Sequence, residues 1–122
     1  MTGTDSEDFL RRTAQARARI SEVSAEDALR PDHADQILMD VRGEDEYAQG
    51  HLAGAVNIPL DKFSERAETD LPDKGAPVVC YCNGGNRGAL AADALRQMGF
   101  SNVVSLAGGL NAVPEPLKNQ DG

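Results

Sequence analysis

The residues best suited to chemistry lie together in Val78-Val79-Cys80-Tyr81-Cys82-Asn83-Gly84-Gly85-Asn86-Arg87-Gly88. A short apolar run ends in a cysteine, Gly and Asn dominate the next four positions, and Arg87 opens a helical pattern. Gly and Asn adopt the positive φ angles a backbone needs to curl around a centre. Such a curl turns successive N–H groups inward and forms an anion-holding nest. A helix beginning near Arg87 adds its positive dipole end at the same place. A cysteine at the mouth of this cradle is favoured as thiolate, the nucleophilic form. Residues 82–87 are therefore read as an active-site loop with Cys82 as nucleophile. Cys80, inside the apolar run, is read as a small buried hydrophobe. Alternation puts it on the same face as Cys82, about 6–7 Å away along a strand, near the limit for a disulfide. The alternative reading of Cys80 is a resolving thiol for Cys82.

The elements that must hold this loop follow from periodicity. Val78 to Tyr81 is the strand that delivers Cys82. After the loop, Leu90, Ala91, Ala94, Leu95 and Met98 form one helical stripe for the sheet, with Asp93, Arg96 and Gln97 facing water. Gly99 sits where a left-handed helix cap belongs. Ile37-Leu38-Met39 reads as a strand buried on both faces, with Asp40-Val41-Arg42 at its C-terminal end, where ligands gather in open α/β sheets. Ile20–Val23, Ala55–Ile58 and Asn102–Leu106 are further strands. Ser24 opens a short helix that runs to about Arg30 and is broken by Pro31-Asp32-His33. Helical turns are expected over Gly43–Gln49, and a helix from about Asp61 to Thr69. Strands alternating with helices argue an α/β sandwich with a mainly parallel sheet. A helix from about Ser6 to Arg19 precedes the domain, with a thin apolar face of Phe9, Leu10, Thr13 and Ala14 and four basic residues read as a solvated face. The expected division is a tail and accessory helix over 1–19, one domain over 20–113 and a frayed tail over 114–122.

Composition narrows the field. A chain of 122 residues supports one domain with one modest core, and its 4% aromatic content makes that core aliphatic and alanine-rich. The net charge is −8, unevenly placed. Residues 22–73 hold fourteen acidic and four basic residues, whereas residues 74–122 hold three acidic and four basic. The loop is thus outside the acidic part, which suits an anionic substrate. No basic patch with interleaved aromatics points to nucleic acid, and no apolar run points to a membrane. Two cysteines one residue apart make neither a useful disulfide nor a zinc site. With a polar N-terminus and no hydrophobic signal region, the expectation is a cytoplasmic monomer.

Three stretches in order resemble single-domain rhodaneses, a family of sulfurtransferases. Cys82-Asn83-Gly84-Gly85-Asn86-Arg87 is similar to the family's C-x-x-G-x-R loop. Leu38-Met39-Asp40-Val41-Arg42, with Glu46-Tyr47 and Gly50-His51-Leu52-Ala53-Gly54-Ala55-Val56-Asn57-Ile58-Pro59, is similar to its D-V-R…E-[FY]…G-H-I-x-G-A-x-N-I-P segment. Gly99 to Leu110 resembles its G-F-x-N-V-x-x-L-x-G-G. The likeness implies a rhodanese-like three-layer sandwich, with a mainly parallel five-stranded sheet flanked by helices. It implies a thiosulfate sulfurtransferase-like enzyme. Cys82 would take a sulfane sulfur from a donor such as thiosulfate, carry it as a persulfide amid Asn83, Gly84, Gly85, Asn86, Arg87 and Gly88, and pass it to cyanide or a thiol. A protein persulfide is another possible donor or acceptor. No cofactor or metal is implied.

In this reading Arg87 braces the loop against carbonyls or a carboxylate. Asp40 accepts from the loop or from Arg87, and Arg42 lines the mouth. His51 stabilises a turn. The spacing C-x4-R is one residue shorter than the C-x5-R phosphatase signature, so its narrower ring suits a terminal sulfur better than a phosphoryl group. Gly88 stands where many members have Ser or Thr, and Val113 where tryptophan is common. Asn83 and Gly84 bring no cation, so thiosulfate is expected to be a poor donor, with a protein or low-molecular-weight persulfide as the alternative. The competing readings are a non-catalytic regulatory module that binds a partner and a cysteine phosphatase or arsenate reductase on the same fold.

Overall fold

The computed structural model describes residues 7–29 and 35–114. The helix breaker at 31–33 and the tails at 1–6 and 115–122 lie outside these. The strands are β1 (Ser21–Val23), β2 (Ile37–Asp40), β3 (Val56–Asn57), β4 (Val78–Tyr81) and β5 (Val103–Leu106). They form one sheet in the order β1-β5-β4-β2-β3, parallel throughout. The expected mainly parallel five-stranded sheet is therefore wholly parallel. The reactive strand β4 is central, with Cys80 opposite Met39 of β2 and Ser105 of β5.

The helices are α1 (Glu7–Arg19), α2 (Ala25–Ala28), α3 (Glu44–Ala48), α4 (Phe63–Asp70) and α5 (Asn86–Gln97), with 3-10 turns at Leu60–Lys62 and Gly109–Ala112. The period-2 alternation of β4 divides the core. Val78, Cys80 and Cys82 face α4 and α5 together with Met39, Phe63 and Leu95. Val79 and Tyr81 face the other layer with Ala25, Leu52, Leu106 and Val113. Val113, expected to pack a corner lightly, is buried there. Ser24 caps α2 by accepting from the Asp27 amide at 3.2 Å, and Gly99 has the left-handed φ of 102° that ends the α5 turn.

Two helix faces differ from the sequence expectation, for one reason. Helix α1 packs along α5 and buries Thr13 and Ala16, whereas Ala14 is exposed and Leu10 half exposed. Its docked face is thus displaced from the expected one. On α5, Asp93 does not face water. It is 6% exposed and receives the Arg19 guanidinium through two bonds of 2.9 and 2.6 Å. With α1 covering this side, Ala89 and Ala92 are also buried, and Leu90 and Ala94 are only partly so. The paired charges satisfy a carboxylate that would otherwise be costly to bury.

Candidate active site

The loop is shaped from both ends. Gly85, with φ 107°, makes the left-handed step that starts α5 at Asn86. Past it the chain returns inward, and the amides of Gly85 and Gly88 both donate to the Cys82 sulfur, at 3.0 and 3.3 Å. The carbonyls of Cys82 and Asn83 point the other way and accept from the amides of Leu110 and Asn111, at 2.8 and 2.9 Å. The turn after β5 therefore orients the loop by drawing its carbonyls outward. The Gly108-Gly109 step has positive φ at both residues. Gly88 lets α5 approach the sheet closely: a Cβ there would lie 3.2 Å from Cys80 O, Tyr81 Cα and Ser105 Oγ.

One expectation is corrected. Cys82 is not at the mouth of the cradle but at its floor, only 2% exposed. The sulfur is enclosed because the inward amides close over it while Leu110 and Asn111 pin its flank. Cys80 is fully buried as expected, and burial raises its thiol pKa well above the ordinary value, with the neighbouring Cys82 adding to the shift.

Asp40 has another partner than the sequence suggests, whereas Arg87 finds the carboxylate expected of it. Asp40 accepts from Arg42, not from the loop or Arg87: Arg42 Nε is 3.0 Å and Nη2 2.7 Å from its two oxygens, and the Arg42 amide adds a third bond at 2.9 Å. Arg42 is 5% exposed, its charge compensated by Asp40, and it borders a cavity beside the loop. Burial works against that charge, yet hydrogen bonding and attraction from Asp40 outweigh it, and its pKa is raised. Arg42 also donates to Gly50 O at 2.7 Å and Asn83 Oδ1 at 3.3 Å. Asn83 is thus tied to β2, and its Nδ2 donates to Glu46 at 3.0 Å.

Arg87 braces the loop through Glu46, with bonds of 2.9 and 3.2 Å to its two oxygens. Glu46 also accepts from the Gly43 amide at 2.8 Å. The Arg87 bond is the largest cause of a Glu46 carboxyl held at about 2; burial opposes it and the Gly43 bond supports it. The pair acts reciprocally, and Arg87 is raised chiefly by Glu46, with the Cys82 sulfur contributing. Glu46 is the site residue sequence reasoning missed. Its signal was a glutamate three residues after the helix start, where its side chain accepts from the Gly43 amide. Gly84 is exposed at the loop tip. His51 stacks on Tyr47 at 3.7 Å and places Nδ1 2.8 Å from Tyr47 O, as a turn residue would.

Two cavities flank the loop. One of about 350 Å³ is bordered by Arg42, His51 and Asn83. Another of about 840 Å³ is bordered by Arg87, Leu90 and α1 residues. Glu46 borders both. Among the described residues no cluster of His, Cys, Asp or Glu could hold a metal ion, and no helix is long and apolar enough to cross a membrane.

A parallel β1-β5-β4-β2-β3 sheet with a cysteine loop between its central strand and the next helix defines a class that comparison makes specific. Residues 24–115 match the rhodanese-like domain, and the chain belongs to that family. It is 41% identical over 86 residues to thiosulfate sulfurtransferase PspE of Escherichia coli K12, covering 70% of this chain and 82% of that one. It is 38% identical over 78 residues to a tRNA uridine(34) hydroxylase of Xanthomonas campestris, 61% of this chain but 31% of that one. A solved structure from Rhodopseudomonas palustris, described as a protein of unknown function and possible tyrosine phosphatase, superimposes with a TM-score of 0.77 at 25% identity, covering 92% of each chain. Family membership and the PspE likeness support sulfurtransferase activity in general.

Proposed function

We propose that the protein moves a sulfane sulfur from a donor such as thiosulfate to a nucleophilic acceptor, cyanide or a thiol, through a persulfide on Cys82. The observation that carries this reading is the convergence of the Gly85 and Gly88 amides on the Cys82 sulfur. Donors already aimed at that atom stabilise negative charge there without reorganisation. In the first step the Cys82 thiolate attacks the sulfane sulfur of thiosulfate. A new S–S bond forms, the donor's S–S bond breaks and sulfite leaves with the electron pair. In the second, the acceptor attacks the outer sulfur and the Cys82 thiolate returns. The chemistry requires no metal or organic cofactor.

A steady-state assay of thiocyanate formation from thiosulfate and cyanide tests the reading. Wild type and Cys80→Ala turn over, and Cys82→Ala does not. Turnover that survives Cys82→Ala refutes it. The phosphatase alternative rests on the Rhodopseudomonas structure, described as a possible tyrosine phosphatase. Hydrolysis of an aryl phosphate that depends on Cys82, without thiocyanate formation, would favour that alternative.

A further inference from the structure

Helix α1 lies outside the matched family segment, which starts at residue 24, yet its last turn reaches the Cys82 loop. Arg17 Nη2 lies 3.3 Å from the position a Cβ on Gly85 would occupy, and the Gly85 amide donates to the Cys82 sulfur at 3.0 Å. We propose that Arg17 is a specificity-determining residue for the sulfur donor: its cation, delivered to the loop by α1, selects anionic donors for Cys82. The proposal rests on the sulfurtransferase reading for the donor's role, and on the Arg17–Gly85 contact for the charge.

Position comes first. Two covalent bonds separate that Cβ position from the Gly85 nitrogen, so the Arg17 guanidinium lies within about 9 Å of the sulfur. The side chain is held at its root. Ala16 before it is wholly buried, and Arg19 two residues on binds Asp93 through bonds of 2.9 and 2.6 Å. Its outer part is half-buried, with Nε donating to Glu22 of β1 at 3.4 Å and Nη2 turned to Gly85. Glycine at 85 admits this approach, since a Cβ there would also meet the Gly108 nitrogen at 3.4 Å.

Charge then selects the donor. The loop tip, Asn83-Gly84-Gly85, carries no cation of its own. The other cations beside the loop are tightly paired, Arg87 with Glu46 at 2.9 Å and Arg42 with Asp40 at 2.7 Å. Glu22 offsets Arg17 only through the longer contact. A unit charge at this range, near a protein surface, changes the approach of a monoanion by about two- to tenfold, and added salt weakens the effect. A dianion gains more than a monoanion, and a neutral reagent gains nothing.

Two measurements test this, both at low ionic strength. Alkylation of Cys82 by anionic iodoacetate and by neutral iodoacetamide, followed by intact mass, reads the charge near the sulfur without any sulfur transfer. Thiocyanate formation is then compared for two donors of the same kind of sulfur, dianionic thiosulfate and monoanionic methanethiosulfonate. The expected result is that Arg17→Gln lowers the iodoacetate-to-iodoacetamide rate ratio about threefold, and the thiosulfate-to-methanethiosulfonate ratio of kcat/KM about as much. Arg17→Lys should keep both ratios near wild type, and Glu22→Gln should raise both. A purely structural role for Arg17 would change both reagents and both donors in step, leaving the ratios as in wild type, and that outcome would overturn the proposal. Glu22→Gln tests the same charge with Arg17 intact, so the proposal stands or falls even where circular dichroism shows that Arg17→Gln unseats α1. If the alkylation ratio shifts as expected while the wild type never acquires sulfur, the charge at the loop stands and the sulfurtransferase reading fails. If thiosulfate turnover depends on Cys82 and neither ratio moves, the sulfurtransferase reading stands and Arg17 has no part in it.

Discussion

A Cβ on Gly109 would lie 2.4 Å from the carbonyl oxygen of Cys82. The two residues are far apart in sequence, yet the backbone of one shapes the loop of the other. The amide of Leu110, the next residue, donates to that same carbonyl. Gly109→Ala meets this contact and a φ of 60°, so it forces the loop and the turn apart. We expect a loss of about 2–4 kcal/mol in stability together with a loss of sulfur transfer, measured by urea unfolding and by thiocyanate formation. Wild-type stability in Gly109→Ala would show that the loop tolerates displacement.

The Glu46–Arg87 pair gives the site a pH signature. Glu46 is held at about 2, below the value of about 4.3 for an unfolded glutamate. A depressed carboxylate contributes its stability above the unfolded pKa and loses it as pH falls toward the folded one. Stability should therefore decline from about pH 5 toward pH 2, and Asp93, also lowered chiefly by its Arg19 bond, adds in the same direction. Glu46→Gln should flatten this decline, read as unfolding free energy against pH. An unchanged slope would remove Glu46 from the account.

Enclosure of the sulfur predicts slow chemical modification. Cys82 is 2% exposed and accepts two amide bonds, so iodoacetamide should label it more slowly than an exposed thiol in a peptide. Glu46→Gln loosens Arg87 and should accelerate labelling several-fold, followed by mass spectrometry of quenched samples. Cys80, deeper and with its thiol pushed up, should label only on unfolding. Rapid labelling of native Cys80 would contradict the burial described.

Arg42 and Asp40 make a prediction about the frame. Asp40 is fully buried and its charge is met by Arg42. Arg42→Ala leaves that carboxylate unpaired, at a cost of about 3–5 kcal/mol, measured by denaturant unfolding. By contrast, Ser105 Oγ is buried and has no hydrogen-bond partner among the described residues. Ser105→Ala should be neutral or stabilising by about 1 kcal/mol. Destabilisation by that variant would show that the hydroxyl has a partner.

Local signals were legible in the chain. The strand 78–81, the glycine cap at 99 and the cap at Ser24 each depend on a few adjacent residues. The motif order of the three stretches pointed to the right family. What was not legible involves distant pairs. Asp93 read as a water-facing helix position because nothing local shows that α1 covers it and supplies Arg19. Glu46 was read only as part of a motif, since its partner Arg87 is 41 residues away. Cys82 was placed at the mouth because the turn at 109–111, which closes the loop from behind, is likewise remote in sequence.

The most direct measurement is the intact mass of the protein after thiosulfate treatment and desalting. The account predicts one added sulfur atom on wild type and on Cys80→Ala, its removal by cyanide, and no addition to Cys82→Ala. An equal gain on Cys82→Ala, or none on any of the proteins with either thiosulfate or a small persulfide donor, would contradict it.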